Sequence, residues 1–291
     1  MQNSKKKDIL LVVLVISMCI LIPSILINIH KDFKSINGEK YPREIVDSHL
    51  PQVSSVYYEE TTGQAWGVYV SGDYAYVASY FSGLAIIDIS DPTNPGAPIY
   101  EATAGNSYCV YVSGDYAYVA DGSSGLAVID ISDPTNPGTP VYEATTGTAY
   151  GVYVSGDYAY VADGFSGLAV IDISDPTNPG TPIYEYTTGS AYDIYVSGDY
   201  AYVADRSSGL AVIDIFDPTS PGTPFYEDTT GNAQSVYVSG DYVYIADYSS
   251  GLVIIDISDP TNPGTPVYEA TLGSAYGVHV SGNYAYIADS T

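Results

Sequence analysis

Between residues 51 and 291 the chain has no lysine, one arginine (Arg206), one histidine (His279) and one cysteine (Cys109). Each shortage closes off a chemistry. A surface with a single cation cannot neutralise a phosphate backbone, so nucleic acid is excluded as a partner, and anionic lipid headgroups with it. One histidine and one cysteine leave no metal-type cluster and no Ser-His-Asp set, and no glycine-rich phosphate loop is present. The expectation is no cofactor, no metal and no catalytic residue. Cys19 and Cys109, the two cysteines of the whole chain, make no disulfide framework. Acid is what the segment has in excess: 29 of the 34 Asp and Glu residues against that one arginine, a net charge of −28. Cations, basic proteins and neutral polymers remain as partners. An apolar fraction of 46% belongs to a folded domain rather than to a disordered polyelectrolyte.

Lysine is confined to the N-terminal region, where Lys5-Lys6-Lys7-Asp8 precedes an uncharged run from Ile9 to Ile29. That run is long enough to span a bilayer as a helix, whereas a signal-peptide core is shorter and ends at a small-x-small cleavage site. An uncleaved signal anchor therefore fits better than a cleaved peptide. Ile16-Ser17-Met18-Cys19 is a poor lipoprotein signal, since Met18 is large for the residue before a lipidated cysteine. Lys31, Lys34, Lys40 and Arg43 flank the other end and blunt the positive-inside rule. Residues 1–29 are thus read as a cytoplasmic stub and transmembrane anchor, and 30–55, with Pro42 and Pro51, as a stalk. Membrane contact is expected through residues 9–29 only.

From residue 56 onward the chain repeats. Gly-Asp-Tyr or a close variant recurs every 42 residues, at Gly72, Gly114, Gly156, Gly198, Gly240 and Gly282. A period of about 40–45 residues with four strand signals per copy marks a β-propeller blade. In the copy from Thr148, Ala149–Val154 is β-rich and meets Tyr158–Asp163 across Gly156-Asp157. Those two residues suit a type II′ hairpin, with glycine supplying the positive φ. Leu168–Ile173 is apolar on both faces, as a strand covered on both sides must be. Asp175–Pro182 turns the chain into Ile183–Thr187, an outer edge guarded by Pro182 and Glu185. Tight hairpins force antiparallel neighbours and disfavour a parallel β-helix. The fold class is all-β: a propeller of four-stranded antiparallel blades whose first strands are innermost.

Leu84-Ala85-Ile86-Ile87-Asp88, Leu126–Asp130, Leu168–Asp172, Leu210–Asp214 and Leu252–Asp256, each followed closely by Asp-Pro, resemble the LVIVD repeat. The resemblance implies a propeller and a place at the cell surface, outside the cytoplasmic membrane. It brings no catalytic residues with it.

The complete blades run 64–105, 106–147, 148–189, 190–231 and 232–273. A sixth copy, 274–291, has only its first two strands, and Tyr57–Gly63 matches a fourth strand, so these two segments are expected to share one incomplete blade. The missing third strand suggests a chain cut short of a ring of six or more blades.

Near-identical copies separate scaffold from site. Asp130, Asp133, Asp157 and Asp163 recur in nearly every blade and read as turn formers, Ca²⁺ sites being the alternative. Tyr158 and Tyr160 read as blade packing. Variation concentrates in two sets. One follows the second strand and includes Tyr80, Phe81, Phe165, Arg206 and Tyr248; the other begins the first strand, with Trp66, Tyr108, Tyr150, Tyr192 and Gln234. Both sets belong to one face of an up-and-down disc, opposite the invariant Ser-Gly-Asp turns. Aromatics with an arginine are what recognition surfaces use. Trp66, Tyr80, Phe81, Phe165, Arg206 and Tyr248 are therefore the candidate binding residues, for a protein or a glycan. A polysaccharide-active enzyme with a carboxylate pair involving Asp193, or a purely structural envelope component, are the alternatives.

A net charge of −28 repels itself, and salt screens that repulsion over a Debye length of about 10 Å at 0.1 M. The melting temperature of the protein is expected to rise with NaCl. A flat response removes the repulsion argument, and a sharp gain from micromolar Ca²⁺ turns the repeated aspartates into metal sites.

Overall fold

Hairpin, buried strand, turn and short edge strand recur in the order the repeat dictates. The computed structural model describes residues 59–290 and, before them, the strand Leu10–Val15. Blade 1 holds Gly67–Ser71, Tyr74–Ala78, Leu84–Asp88 and Ile99–Glu101. Blade 2 holds Cys109–Ser113, Tyr116–Ala120, Leu126–Asp130 and Val141–Glu143. Blade 3 holds Gly151–Ser155, Tyr158–Ala162, Leu168–Asp172 and Ile183–Glu185. Blade 4 holds Asp193–Ser197, Tyr200–Ala204, Leu210–Asp214 and Phe225–Glu227. Blade 5 holds Ser235–Ser239, Tyr242–Ala246, Leu252–Asp256 and Val267–Glu269. In each blade the strands neighbour one another in chain order and every pairing is antiparallel.

Local chemistry explains each element. Gly156 has φ +57° while Asp157 keeps a negative φ, the pattern of the type II′ turn, and Ser155 faces Tyr158 across it. Leu168, Ala169, Val170 and Ile171 are all buried, because both faces of the third strand are covered by neighbouring blades. On one side Tyr160, Ala162, Leu168 and Val170 pack against Ile194, Val196, Ala201, Val203 and Ile213 of blade 4. On the other, Ala159, Val161, Ala169 and Ile171 meet Tyr118, Leu126 and Val128 of blade 2. Alternation of period two thus feeds two cores from one strand. The alanines let the sheets approach, and Tyr160 serves as blade packing. The third-to-fourth turn is held by Asp175, whose Oδ1 accepts from the Thr177 N–H at 3.0 Å and its hydroxyl at 2.6 Å. Asp133 does the same with Thr135, and Asp130 accepts from the Ser132 N–H, so these two are turn formers.

Asp163 has a different job. It is fully buried, and it accepts from the Thr145 hydroxyl at 2.6 Å and the Gly147 N–H at 2.8 Å. Thr145 and Gly147 lie where the chain leaves the outer edge of blade 2 to begin blade 3. The carboxylate therefore clamps the crossover between blades. Asp121, Asp205, Asp247 and Asp289 repeat the clamp with Thr103/Gly105, Thr187/Gly189, Thr229/Gly231 and Thr271/Gly273. Blade 1 has Ser79 at this place, and its buried hydroxyl has no partner among the described residues. A second link runs along the rim: the Thr62, Ala104, Thr146, Thr188 and Thr230 N–H groups donate to the hydroxyls of Tyr100, Tyr142, Tyr184, Tyr226 and Tyr268 on the next fourth strand.

First strands of successive blades lie side by side at the centre. Their middle residues Tyr69, Tyr111, Tyr153, Tyr195, Tyr237 and His279 touch in an unbroken series, with ring centroids 4.7–5.0 Å apart. Burial pushes the Tyr69, Tyr111 and Tyr153 hydroxyls up to about 12 and lowers the His279 pKa.

The sixth sheet departs from expectation. Ser274–Ser281 pairs antiparallel with Tyr284–Ser290, and the far edge of the latter takes Leu10–Val15 in parallel. That strand stands where complete blades place their third. An open sheet edge accepts a strand that reaches it. Residues 59–62 run as loop rather than as a fourth strand of this sheet, and Tyr57 and Tyr58 fall outside the described residues. The membrane helix expected over 9–29 likewise lies outside them, apart from the strand within it. No helix among the described residues is long and apolar enough to cross a membrane.

Asp163→Asn replaces an acceptor of the Gly147 N–H with a donor and is expected to cost about 1–3 kcal/mol in chemical denaturation. Ser79→Asp, which installs the absent clamp, is expected to raise stability. Burial raises the pKa values of Asp163, Asp205 and Asp247 above the usual 3.8, against the pull of their hydrogen bonds. A raised carboxylate contributes most below its unfolded value and loses that contribution as pH climbs through the folded one. The turn carboxylates Asp130, Asp133 and Asp172 are lowered by their hydrogen bonds and lose their contribution as pH falls below 3.8. Together with relief of charge repulsion, this places maximal thermal stability at about pH 5 rather than 7, with a fall below about pH 4.

Candidate functional site

The clamp position, Ser79 in blade 1 and aspartate in blades 2 to 5, is followed by the residue that opens the loop between second and third strands. These residues are Tyr80, Gly122, Gly164, Arg206 and Tyr248, and all five adopt positive φ, at 39°, 58°, 57°, 45° and 48°. Their backbones bridge to Ser107, Ala149, Ala191 and Ala233, just before the first strand of the next blade, and to Ala275 at the start of Ser274–Ser281. The two variable sets are therefore neighbours on one face of the disc. Left-handed backbone costs an ordinary L-residue about 1–2 kcal/mol and glycine almost nothing. Blades 2 and 3 use glycine here. Blades 1, 4 and 5 carry tyrosine, arginine and tyrosine in the strained conformation instead, and all three are among the residues singled out by their variability.

Around these positions the aromatic rings form an arc. Phe81 packs on Tyr80 at 4.1 Å, Tyr80 lies 5.7 Å from Trp66, and Trp66 meets Tyr108 edge-on at 5.2 Å. Tyr108 continues to Tyr150 at 5.0 Å, and Tyr150 stacks on Tyr192 at 4.3 Å. The Arg206 guanidinium closes this run, its Cζ 4.3 Å over the Tyr192 ring. Further round, Tyr248 meets Tyr276 at 5.4 Å. The intervening blade has Gln234 at the arc position, which breaks the series. Phe81 is 76% exposed, Phe165 86% and Trp66 37%; Tyr80, Arg206 and Tyr248 are half-buried. Phe165 stands out from the loop of blade 3 beside the strained position.

Tyr108, Tyr150, Tyr192 and Tyr276 also line this face, although the variable first-strand set contributed only Trp66 to the candidate binding residues. Their signal was present: five of six copies carry an aromatic side chain at this position, Trp66 among them. Burial, then Tyr192, raises the Tyr150 pKa, and Thr148 and the Arg206 charge oppose the rise. The face is an arc of aromatic rings with one cation, Arg206.

Below it, at the next residue of the first strands, stand Gly67, Cys109, Gly151, Asp193, Ser235 and Gly277. Asp193 Oδ1 accepts from the Ile194 N–H at 2.9 Å and Oδ2 from the Val236 N–H at 3.0 Å. Its carboxylate ties the first strands of blades 4 and 5. Burial raises its pKa, and hydrogen bonds from Val236, Ser235 and Ile194 oppose the rise. Burial, with the Asp193 charge, pushes the Cys109 thiol up to about 12, too high for a reactive thiolate at neutral pH.

No curated protein matches the sequence. Among solved structures, the fold is similar to the computationally designed Ika8 protein, with TM-score 0.61 and 9% identity over 77% of this chain and 68% of that one. It is also similar to the β-propeller domain of Myceliophteria thermophila Cps50 (Swd1), with TM-score 0.57 and 13% identity over 71% of this chain and 73% of the other. At such identities the likeness is one of fold. The LVIVD repeat matches residues 62–97, 104–140, 146–184, 188–229, 230–265 and 272–291. With six copies spanning the whole repeat region, the chain belongs to the LVIVD-repeat family and is a β-propeller of that family.

Proposed function

We propose that the protein is a binding module, a propeller held outside the cell by its N-terminal segment and recognising a glycan or protein partner through the aromatic face. The observation that carries this reading is the backbone strain at Tyr80, Arg206 and Tyr248. Glycine satisfies the same position in blades 2 and 3, so stability alone gives no reason for a side chain there. Strain of this kind collects where side chains are needed for a task. The neighbouring arc supports it, since exposed rings offer large contact area with little entropy to lose.

An enzyme is the weaker reading. Asp193, the acid that stands apart from the repeat, spends both oxygens on main-chain N–H groups, and the clamp aspartates are buried and occupied at every joint. A glycosidase needs one special pair of free carboxyl groups.

Binding is tested with a glycan array and a pull-down using the full chain. Alanine at Trp66, Phe81 and Phe165, compared with alanine at the same number of turn residues on the opposite face (Asp73, Asp157 and Asp241), is expected to weaken capture about tenfold or more on the aromatic side only. Equal loss from both faces refutes the proposed site. Tyr80→Gly, Arg206→Gly and Tyr248→Gly are expected to leave the melting temperature unchanged or raised while binding falls. If each of them unfolds the ring instead, the strained side chains serve packing and not recognition.

A further inference from the structure

We infer that Arg206 is the anchor for a carboxylate carried on an otherwise neutral glycan laid along the arc, an inference that rests on the recognition face proposed above. The domain sets one cation among 29 acids. In such surroundings an arginine finds a carboxylate by default, yet none of the described residues forms an ion pair with Arg206. Its guanidinium lies instead on Tyr192, which stacks in turn on Tyr150, and its Nε is buried without a partner. The residue also holds a left-handed backbone conformation that glycine fills in the two preceding blades. Position, orientation and desolvation of one face are thus fixed while the hydrogen-bonding fork stays unspent. An arginine in that state is suited to a planar anion received through two parallel N–H···O bonds.

Charge selects among anions. A net charge of −28 repels any polyanion before contact, so a densely charged chain is disfavoured and an isolated carboxylate is not. The surface leading to Arg206 is a run of aromatic rings, Tyr108, Tyr150 and Tyr192, continuous at 5.0 and 4.3 Å. Sugar rings offer apolar C–H faces to such a platform and hydroxyls to the polar residues at its edge, Gln234 and Asn232 among them. A mainly neutral oligosaccharide ending in a single hexuronate fits both features. A peptide C-terminal carboxylate supplies the anion but no flat C–H faces for the arc.

The test is calorimetric titration of the full chain with three probes: a neutral hexasaccharide, the same chain ending in one hexuronate, and the latter with its carboxyl reduced to the alcohol. The expected result is affinity for the hexuronate chain about tenfold or more above its reduced form. That gap should vanish in Arg206→Gln, shrink in Arg206→Lys, which keeps charge but loses the fork, and persist in Phe81→Ala. Equal affinity of the wild type for acid and alcohol overturns the role of Arg206 and leaves the recognition face standing. A gap that survives Arg206→Gln, or no binding of any of the three probes, overturns it as well. A peptide with a free C-terminal carboxylate, titrated alongside and bound more tightly than all three sugars, assigns the site to a protein ligand and refutes the glycan.

Discussion

The ring hangs on a buried carboxylate repeated once per joint. An outer strand must hand the chain to the innermost strand of the next blade, and that crossover has no sheet partner to hold it. Asp163 and its counterparts supply one, taking a hydroxyl and a main-chain N–H from a segment 16–18 residues earlier. Desolvating a carboxylate is costly, and two charge-assisted hydrogen bonds offset it only when both donors are delivered in register. The threonine and glycine are therefore as much a part of the clamp as the acid. Glycine is required because a Cβ at residue 147 would run into the Asp163 main-chain carbonyl. The next residue after each clamp opens the variable loop. A device that closes the joint thus also places Arg206 and Tyr248, the residues that follow Asp205 and Asp247.

Much of this was legible in the repeat. The 42-residue period, Gly156-Asp157, the apolar Leu168–Ile171 and the Asp-Pro turns each have local causes, and each took the expected form. Asp163 was misread as a turn former because its partners sit in the preceding blade, where local reading does not reach. The strain at Tyr80, Arg206 and Tyr248 was latent in the comparison with Gly122 and Gly164. It becomes visible only once those positions are known to share a left-handed backbone. The strand Leu10–Val15 belongs to the opposite case: an uncharged run long enough for a bilayer carries no mark that part of it can also complete a sheet.

Repetition and specialisation divide the molecule cleanly. Interblade cores reuse the same alanine, valine, leucine and tyrosine positions at every joint, so the scaffold tolerates no local invention there. The residue that opens the loop after the clamp meets these positions only through its main chain, in the bridges to the core alanines Ala149, Ala191, Ala233 and Ala275. It can exchange glycine for tyrosine or arginine at the expense of backbone strain alone. An acidic surface suits this arrangement, because it discourages indiscriminate contacts and leaves a single basic group distinct.

The placement of Trp66 has an optical consequence. It is the one tryptophan among 32 tyrosines, and it lies within 6 Å of Tyr80 and Tyr108 at one end of the arc. Light absorbed by nearby tyrosines is passed to the indole by resonance transfer, so their emission converges on a reporter at the edge of the variable face. Any occupant that covers or reorients that ring alters its emission directly, without a label. The molecule carries its own fluorophore, set where events on that face are registered.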